Sequence, residues 1–102
     1  MPKKIKFNEP IVFNDVKNYL LKVVNNKVFA DGEFQSRSEK KIKKLINCES
    51  VNLTQSCSSA LEVSMILSNI KKGDEVILPS YTFTSTANAV LLRNAKPVFA
   101  DI

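Results

Sequence analysis

The chain has 102 residues and a formal charge of +5, with 44% hydrophobic and 25% charged residues. That allows one small domain with a modest core, and only 2 Gly and 4 Pro argue against disorder. With no His and only 2 Cys, the usual zinc sites and the Cys–His and Ser–His–Asp catalytic groups are excluded from this chain.

Residues 1–13 are expected to be extended, because Pro10 blocks a helix. Asn14 is a candidate cap for a helix starting at Asp15, with Val16, Tyr19, Leu20 and Val23 on one buried face. Phe29-Ala30-Asp31-Gly32-Glu33-Phe34 reads as a structured loop. Ser36-x-x-Glu39 has the spacing of a capping box. Ile42, Leu45 and Ile46 supply the apolar face of the helix that follows, and Lys40, Lys41, Lys43 and Lys44 its wet face.

Val51 to Thr54 is β-prone and predicts a first strand. A third helix follows from near Ser58, with Val63, Ile66, Leu67 and Ile70 as its buried stripe. Lys71-Lys72-Gly73 is expected to end it, with Gly73 as the left-handed cap. Glu75-Val76-Ile77-Leu78 predicts a strand covered on both faces and stopped by Pro79. A fourth helix is predicted from Ser85 to Arg93, terminated by Asn94, before a third strand at Pro97-Val98-Phe99-Ala100.

The expected organisation is a helical segment over 1–49 and an α/β domain over 50–102, in the order β-α-β-α-β with parallel strands. Three strands and half their covering helices do not complete a doubly wound sheet. The chain therefore reads as the N-terminal part of something larger.

The basic residues form no stripe with interleaved aromatics, so they read as solvated helix faces rather than a nucleic-acid interface. No apolar run reaches the length of a membrane span, and the basic N-terminus lacks the apolar segment of a signal peptide. The expectation is a cytoplasmic protein with neither nucleic acid nor membrane as partner. Asn52-Leu53-Thr54 matches a glycosylation sequon, which means nothing without secretion.

Two segments carry chemistry. In Gln55-Ser56-Cys57-Ser58-Ser59-Ala60-Leu61, small hydroxyl residues open an amphipathic helix and leave backbone N–H groups free for an anion. Read alone, this is also an ordinary Ser-rich cap. In Pro79-Ser80-Tyr81-Thr82-Phe83-Thr84, an aromatic ring follows the strand among polar neighbours. Read alone, Phe83 is also an ordinary core residue. Cys57 has no base beside it in sequence and reads as a small residue in a tight turn, not a nucleophile.

These residues resemble the DegT/DnrJ/EryC1/StrS family of sugar aminotransferases. The matching strings are residues 29–34, Ser56-Cys57-Ser58-Ser59-Ala60-Leu61-Glu62, Gly73-Asp74-Glu75-Val76-Ile77-Leu78-Pro79-Ser80-Tyr81-Thr82-Phe83, and Ala95-Lys96-Pro97-Val98-Phe99-Ala100-Asp101. Their order and spacing together make the signal, which covers nearly the whole chain. The Ser56-Cys57 pair and Asp31-Gly32-x-Phe34 point to the branch of dTDP-4-amino-4,6-dideoxygalactose transaminases.

The resemblance implies the large domain of the aspartate-aminotransferase fold (fold type I) with pyridoxal 5′-phosphate as cofactor. It implies glutamate and a dTDP-4-keto-6-deoxyhexose as substrates, a role in surface-polysaccharide synthesis, and a homodimer when full length. It places Cys57, Ser58 and Ser59 at the cofactor phosphate and Phe83 against the pyridine ring. Cys57-Ser58-Ser59 stands where the family often has Gly-Thr-Ala; Ser58 keeps the hydroxyl and Ser59 adds one. Asp31 and Gly32 would shape the substrate pocket, although the residues themselves read equally as a surface turn.

Transamination needs a Schiff-base lysine and an acidic partner for the pyridinium nitrogen, and the family carries both further downstream. Ser38-x-x-Lys41 matches an S-x-x-K string, but it sits on the lysine-rich face and precedes the cradle. The 102-residue chain is thus expected to be inactive alone. Two other readings stay open. One is a dehydratase-type member, with histidine for that lysine. The other is a non-enzymatic α/β module that holds a phosphorylated ligand or a partner.

Overall fold

The computed structural model describes residues 5–101. The chain divides into two compact units at the Glu49–Ser50 junction.

The first unit holds two helices, α1 (Val16–Asn26) and α2 (Glu33–Ile46). Asp15, not Asn14, occupies the α1 N-cap position, and its side chain makes no capping bond. The expected buried face of α1 is open: Val16 and Val23 are half-buried, while Tyr19 and Leu20 are exposed. An amphipathic stripe needs an apolar surface to cover it, and the first unit buries no residue of either helix. The Tyr19 ring instead meets Phe34 edge-on at 5.5 Å. The Arg37 guanidinium lies over both rings, at 5.9 Å and 5.7 Å.

The capping box at Ser36 does not form. Gly32 is the N-cap, so Ser36 lies inside α2, with its N–H donating to Gly32 O. Glu39 takes a hydrogen bond from Gln35 Nε2 instead.

The second unit runs α3 (Cys57–Leu67), β1 (Glu75–Pro79), α4 (Thr84–Leu91) and β2 (Lys96–Ala100). The two strands are parallel, with Glu75 opposite Lys96 and Leu78 opposite Phe99. The α/β architecture expected of residues 50–102 is present, with one strand fewer. Val51–Thr54 forms no strand among the described residues. Its residues are β-prone, but a strand exists only where a neighbour completes the ladder, and the sheet consists of β1 and β2.

The core is small. Leu78 of β1, Val90 of α4 and Ala95 are nearly inaccessible, at 4%, 1% and 5% exposure. Met65, Ile70, Val76 and Ala87 pack around them. Burying a Leu- or Val-sized side chain contributes roughly 1.5–3 kcal/mol, so a few residues hold the unit together. β1 is covered on one face only: Ile77, pointing the other way, is 74% exposed.

Of the stripe expected for the third helix, only Ile70, just past the end of α3, packs against the core. Val63, Ile66 and Leu67 are exposed, and Met65 supplies the contact with the core. The helix carries apolar residues on more than one side (Leu61, Val63, Met65, Ile66, Leu67), so its sequence alone leaves the inward face undecided.

Helix ends follow one rule. Lys27, Asn47, Asn69 and Asn94 have φ of 54°, 51°, 54° and 55°. With so few glycines in the chain, asparagine takes the left-handed position at three of these ends and Lys27 at the end of α1. After α4, Asn94 N–H donates to Leu91 O and Ala95 N–H to Val90 O. After α3, Asn69 N–H donates to Ile66 O and Ile70 N–H to Met65 O. Both are Schellman patterns, and each brings an apolar pair together in the core, Ala95 with Val90 and Ile70 with Met65.

Gly73 is therefore not the cap of α3, which ends earlier at Leu67. Gly73, at φ 95°, is the third residue of a turn closed by Asp74 N–H to Lys71 O, where a positive φ favours glycine. α4 likewise ends at Leu91, short of Arg93, although Asn94 does terminate the turn as expected.

Candidate functional site

The start of α3 is built by Ser56. Its backbone is extended, and its Oγ accepts from Ser59 N–H at 3.1 Å. Thr54 Oγ1 donates to Ser56 O at 2.8 Å and fixes the approach to the helix. Ser59 Oγ lies 3.0 Å from Ser56 Oγ. One N–H and one hydroxyl of the expected cradle are thus engaged within the cap itself.

Among the described residues, the groups left open are the N–H groups of Cys57 and Ser58, which have no acceptor in the first turn of a helix, and the Ser58 hydroxyl. The sequence signal for the capping role of Ser56 is the Ser-x-x-Ser spacing between Ser56 and Ser59.

α4 opens at the carboxyl end of β1 without a side-chain cap. Phe83 is its N-cap residue, extended at φ −72° and ψ 145°, and its side chain is 77% exposed. The ring is therefore not a core residue of this unit. Thr86 N–H donates to Phe83 O at 3.0 Å. Thr86 Oγ1 also lies 2.9 Å from Thr82 Oγ1.

α3 and α4 pack on each other. A groove of about 490 Å³ between them is lined by Ser58, Glu62, Ser85, Asn88, Leu91 and Leu92. Ser58 and Ser85, each the second residue of its helix, both line this groove. Just past the opposite ends of the two helices Arg93 Nε donates to Ile70 O at 3.0 Å, so the two helix starts lie towards one end of the unit. Phe83 shares that end as the α4 N-cap, although neither it nor Cys57 or Ser59 lines the groove. Two positive helix ends beside the carboxyl end of a parallel strand suit an anionic ligand. The open N–H groups and Ser58 hydroxyl match a phosphate, and an exposed flat ring matches an aromatic heterocycle.

Asp31 and Gly32 belong to the first unit. They line a cavity of about 120 Å³ with Val23, Val28, Phe29 and Phe34. Asp31 takes a left-handed φ of 52°. A Cβ on Gly32 would come to 3.1 Å from Val28 Cγ1, so glycine keeps this turn tight. Among the described residues no three His, Cys, Asp or Glu side chains gather as a metal site, and no helix is long and apolar enough to cross a membrane.

The same architecture occurs in solved aminotransferases. A DegT DnrJ EryC1 StrS aminotransferase from Brucella abortus is 31% identical with a TM-score of 0.80, over 87% of this chain and 24% of that one. NtdA from Bacillus subtilis, solved with bound cofactor PMP, is 31% identical with a TM-score of 0.78, over 86% and 20%. In sequence, the 3-oxo-glucose-6-phosphate:glutamate aminotransferase of Bacillus subtilis is 31% identical over 88 residues, 86% of this chain and 20% of that protein. This chain spans about a fifth to a quarter of the length of these relatives. Residues 11–102 match the family description throughout, and the chain belongs to the DegT/DnrJ/EryC1/StrS aminotransferase family.

Proposed function

We propose that this chain supplies the cofactor-phosphate and ring-stacking part of a pyridoxal-phosphate-dependent sugar aminotransferase. The observation that supports this reading is the groove that Ser58 of the open α3 start shares with Ser85 of the α4 start, where Phe83 is the exposed N-cap residue.

Pyridoxal phosphate, when bound, supplies the electron sink that amino-group transfer requires. The residues present do three things for it. Cys57 N–H, Ser58 N–H and the Ser58 hydroxyl hold the phosphate, with the helix dipole favouring its negative charge. Ser59 acts through the cap, since its N–H is committed to Ser56 Oγ. Phe83 covers one face of the ring and keeps water from it. The proton-moving lysine and the acidic partner of the ring nitrogen lie, on this reading, outside residues 1–102.

The proposed donor is glutamate and the acceptor a dTDP-4-keto-6-deoxyhexose, with the product entering surface-polysaccharide synthesis in the cytoplasm. Support for this branch comes from Ser56-Cys57 and from Asp31-Gly32-x-Phe34. Asp31 and Gly32 shape the sugar pocket in a homodimer. The relative from Bacillus subtilis named above uses glutamate as its amino partner by its name.

The test is made on the complete reading frame that carries this chain. Glutamate should convert the cofactor absorbance from the pyridoxal to the pyridoxamine form, and a 4-keto sugar nucleotide should reverse it. No response to glutamate would remove the aminotransferase reading. Response to glutamate with reversal only by a 3-keto sugar would keep it and exclude the 4-amino branch.

A further inference from the structure

We infer that Thr86 is a positioning residue that sets the Phe83 ring for stacking, an inference that rests on the reading of Phe83 above. Phe83 is 77% exposed, so no packing fixes its backbone from the side-chain direction. Thr86 holds it from the other side through two contacts. Its N–H donates to Phe83 O at 3.0 Å. Its hydroxyl pairs with Thr82 Oγ1 at 2.9 Å, on the far side of Phe83 in sequence.

One residue in the first turn of α4 thus grips both flanks of the aromatic. Thr86 is itself half-buried, and the next residues of the helix, Ala87, Ala89 and Val90, are anchored in or against the core. The clamp ties an exposed ring to the best-buried part of the unit. Any helix supplies the N–H contact, but the hydroxyl pair needs Thr or Ser at both positions. β-Branching also restricts χ1 and keeps the Thr86 hydroxyl in few directions.

The chain has no Trp, so Phe83→Trp places a single reporter at the site. The probe is pyridoxine 5′-phosphate, which carries the ring and the phosphate but no aldehyde to react with surface lysines. In the Phe83→Trp chain the probe should quench indole emission, and the free chain should show a restrained indole by fluorescence anisotropy. Adding Thr86→Val, or Thr82→Val at the exposed partner, should weaken the probe about fivefold, the effect of one neutral hydrogen bond, and lower the anisotropy. Thr86→Ser should restore both. Circular dichroism confirms that each variant folds, and Thr82→Val lies clear of the core.

Equal quenching and anisotropy with Thr86→Val and Thr82→Val would overturn the clamp while leaving the stacking role of Phe83 intact. Absence of quenching in the Phe83→Trp chain with both threonines present would remove the stacking role, and the clamp with it.

Discussion

Lys96 and Glu75 stand opposite each other at the first pair of the parallel register, and Lys96 Nζ reaches Glu75 Oε1 at 2.7 Å. The pair lies at the strand entrances, where Lys96 N–H also donates to Asp74 O. It marks the register from outside while Leu78 marks it from within. A slip of one residue would part the charges and turn Leu78 to the open face.

The Glu75 hydrogen bond, then its charge, raises the Lys96 pKa above its ordinary 10.5. A raised lysine pKa means that the folded state binds its proton more tightly. The contribution is complete below the unfolded value and is lost as pH rises through the higher folded value. Urea unfolding of the chain should therefore show a difference between wild type and Lys96→Met at pH 7 that disappears well above pH 10.5. The pair is exposed, so the difference is small and falls with salt.

Leu78→Ala should cost about 2–5 kcal/mol, the range for emptying a packed aliphatic site. The core has few members, so this removes most of the stability of the second unit. Chemical denaturation followed by circular dichroism should show a large drop in midpoint. Ile77→Ala, on the open face of the same strand, should change the midpoint much less.

Asn94→Ala should destabilise the chain by about 1 kcal/mol, because alanine keeps the Cβ but lacks the short polar side chain whose local hydrogen bonding lets asparagine tolerate the left-handed region. Asn94→Gly should be neutral or stabilising. The same ordering is expected at Asn69, which ends α3 in the same pattern. Thermal melts of the four variants check both.

Ser56→Ala should cost about 1 kcal/mol through loss of the α3 cap, and Ser56→Asp should recover it. Ser58→Ala should leave the melting temperature nearly unchanged, since its hydroxyl has no partner among the described residues. It should, however, weaken pyridoxine 5′-phosphate by about tenfold or more, as expected for one lost hydrogen bond to a charged group. Calorimetric titration separates the two roles: a fall in stability without a fall in affinity at Ser58 would contradict its place at the phosphate.

Much of the second unit was legible in the sequence. Glu75–Leu78 stopping at Pro79, and the strand at Pro97–Ala100, are short apolar runs bounded by turn residues, and both are strands. Asn94 ended its helix because asparagine tolerates positive φ. The Ser-rich start of α3 and the exposed ring of Phe83 lie where local sequence put them, because helix starts and strand ends are set by near neighbours.

What local sequence did not decide depended on partners distant in the chain. Val51–Thr54 has the composition of a strand but no ladder neighbour among β1 and β2. The Ser36–Glu39 spacing fits a capping box, yet the N-cap falls four residues earlier, at Gly32, which turns the chain tightly against Val28. The inward face of α3 went to Met65 rather than Val63, because an apolar helix packs wherever a neighbour, here α4, offers a surface. Sequence determined which residues prefer which local geometry. Tertiary structure decided which preferences were used, since burial and strand pairing reward a residue only when a neighbour is there to meet it.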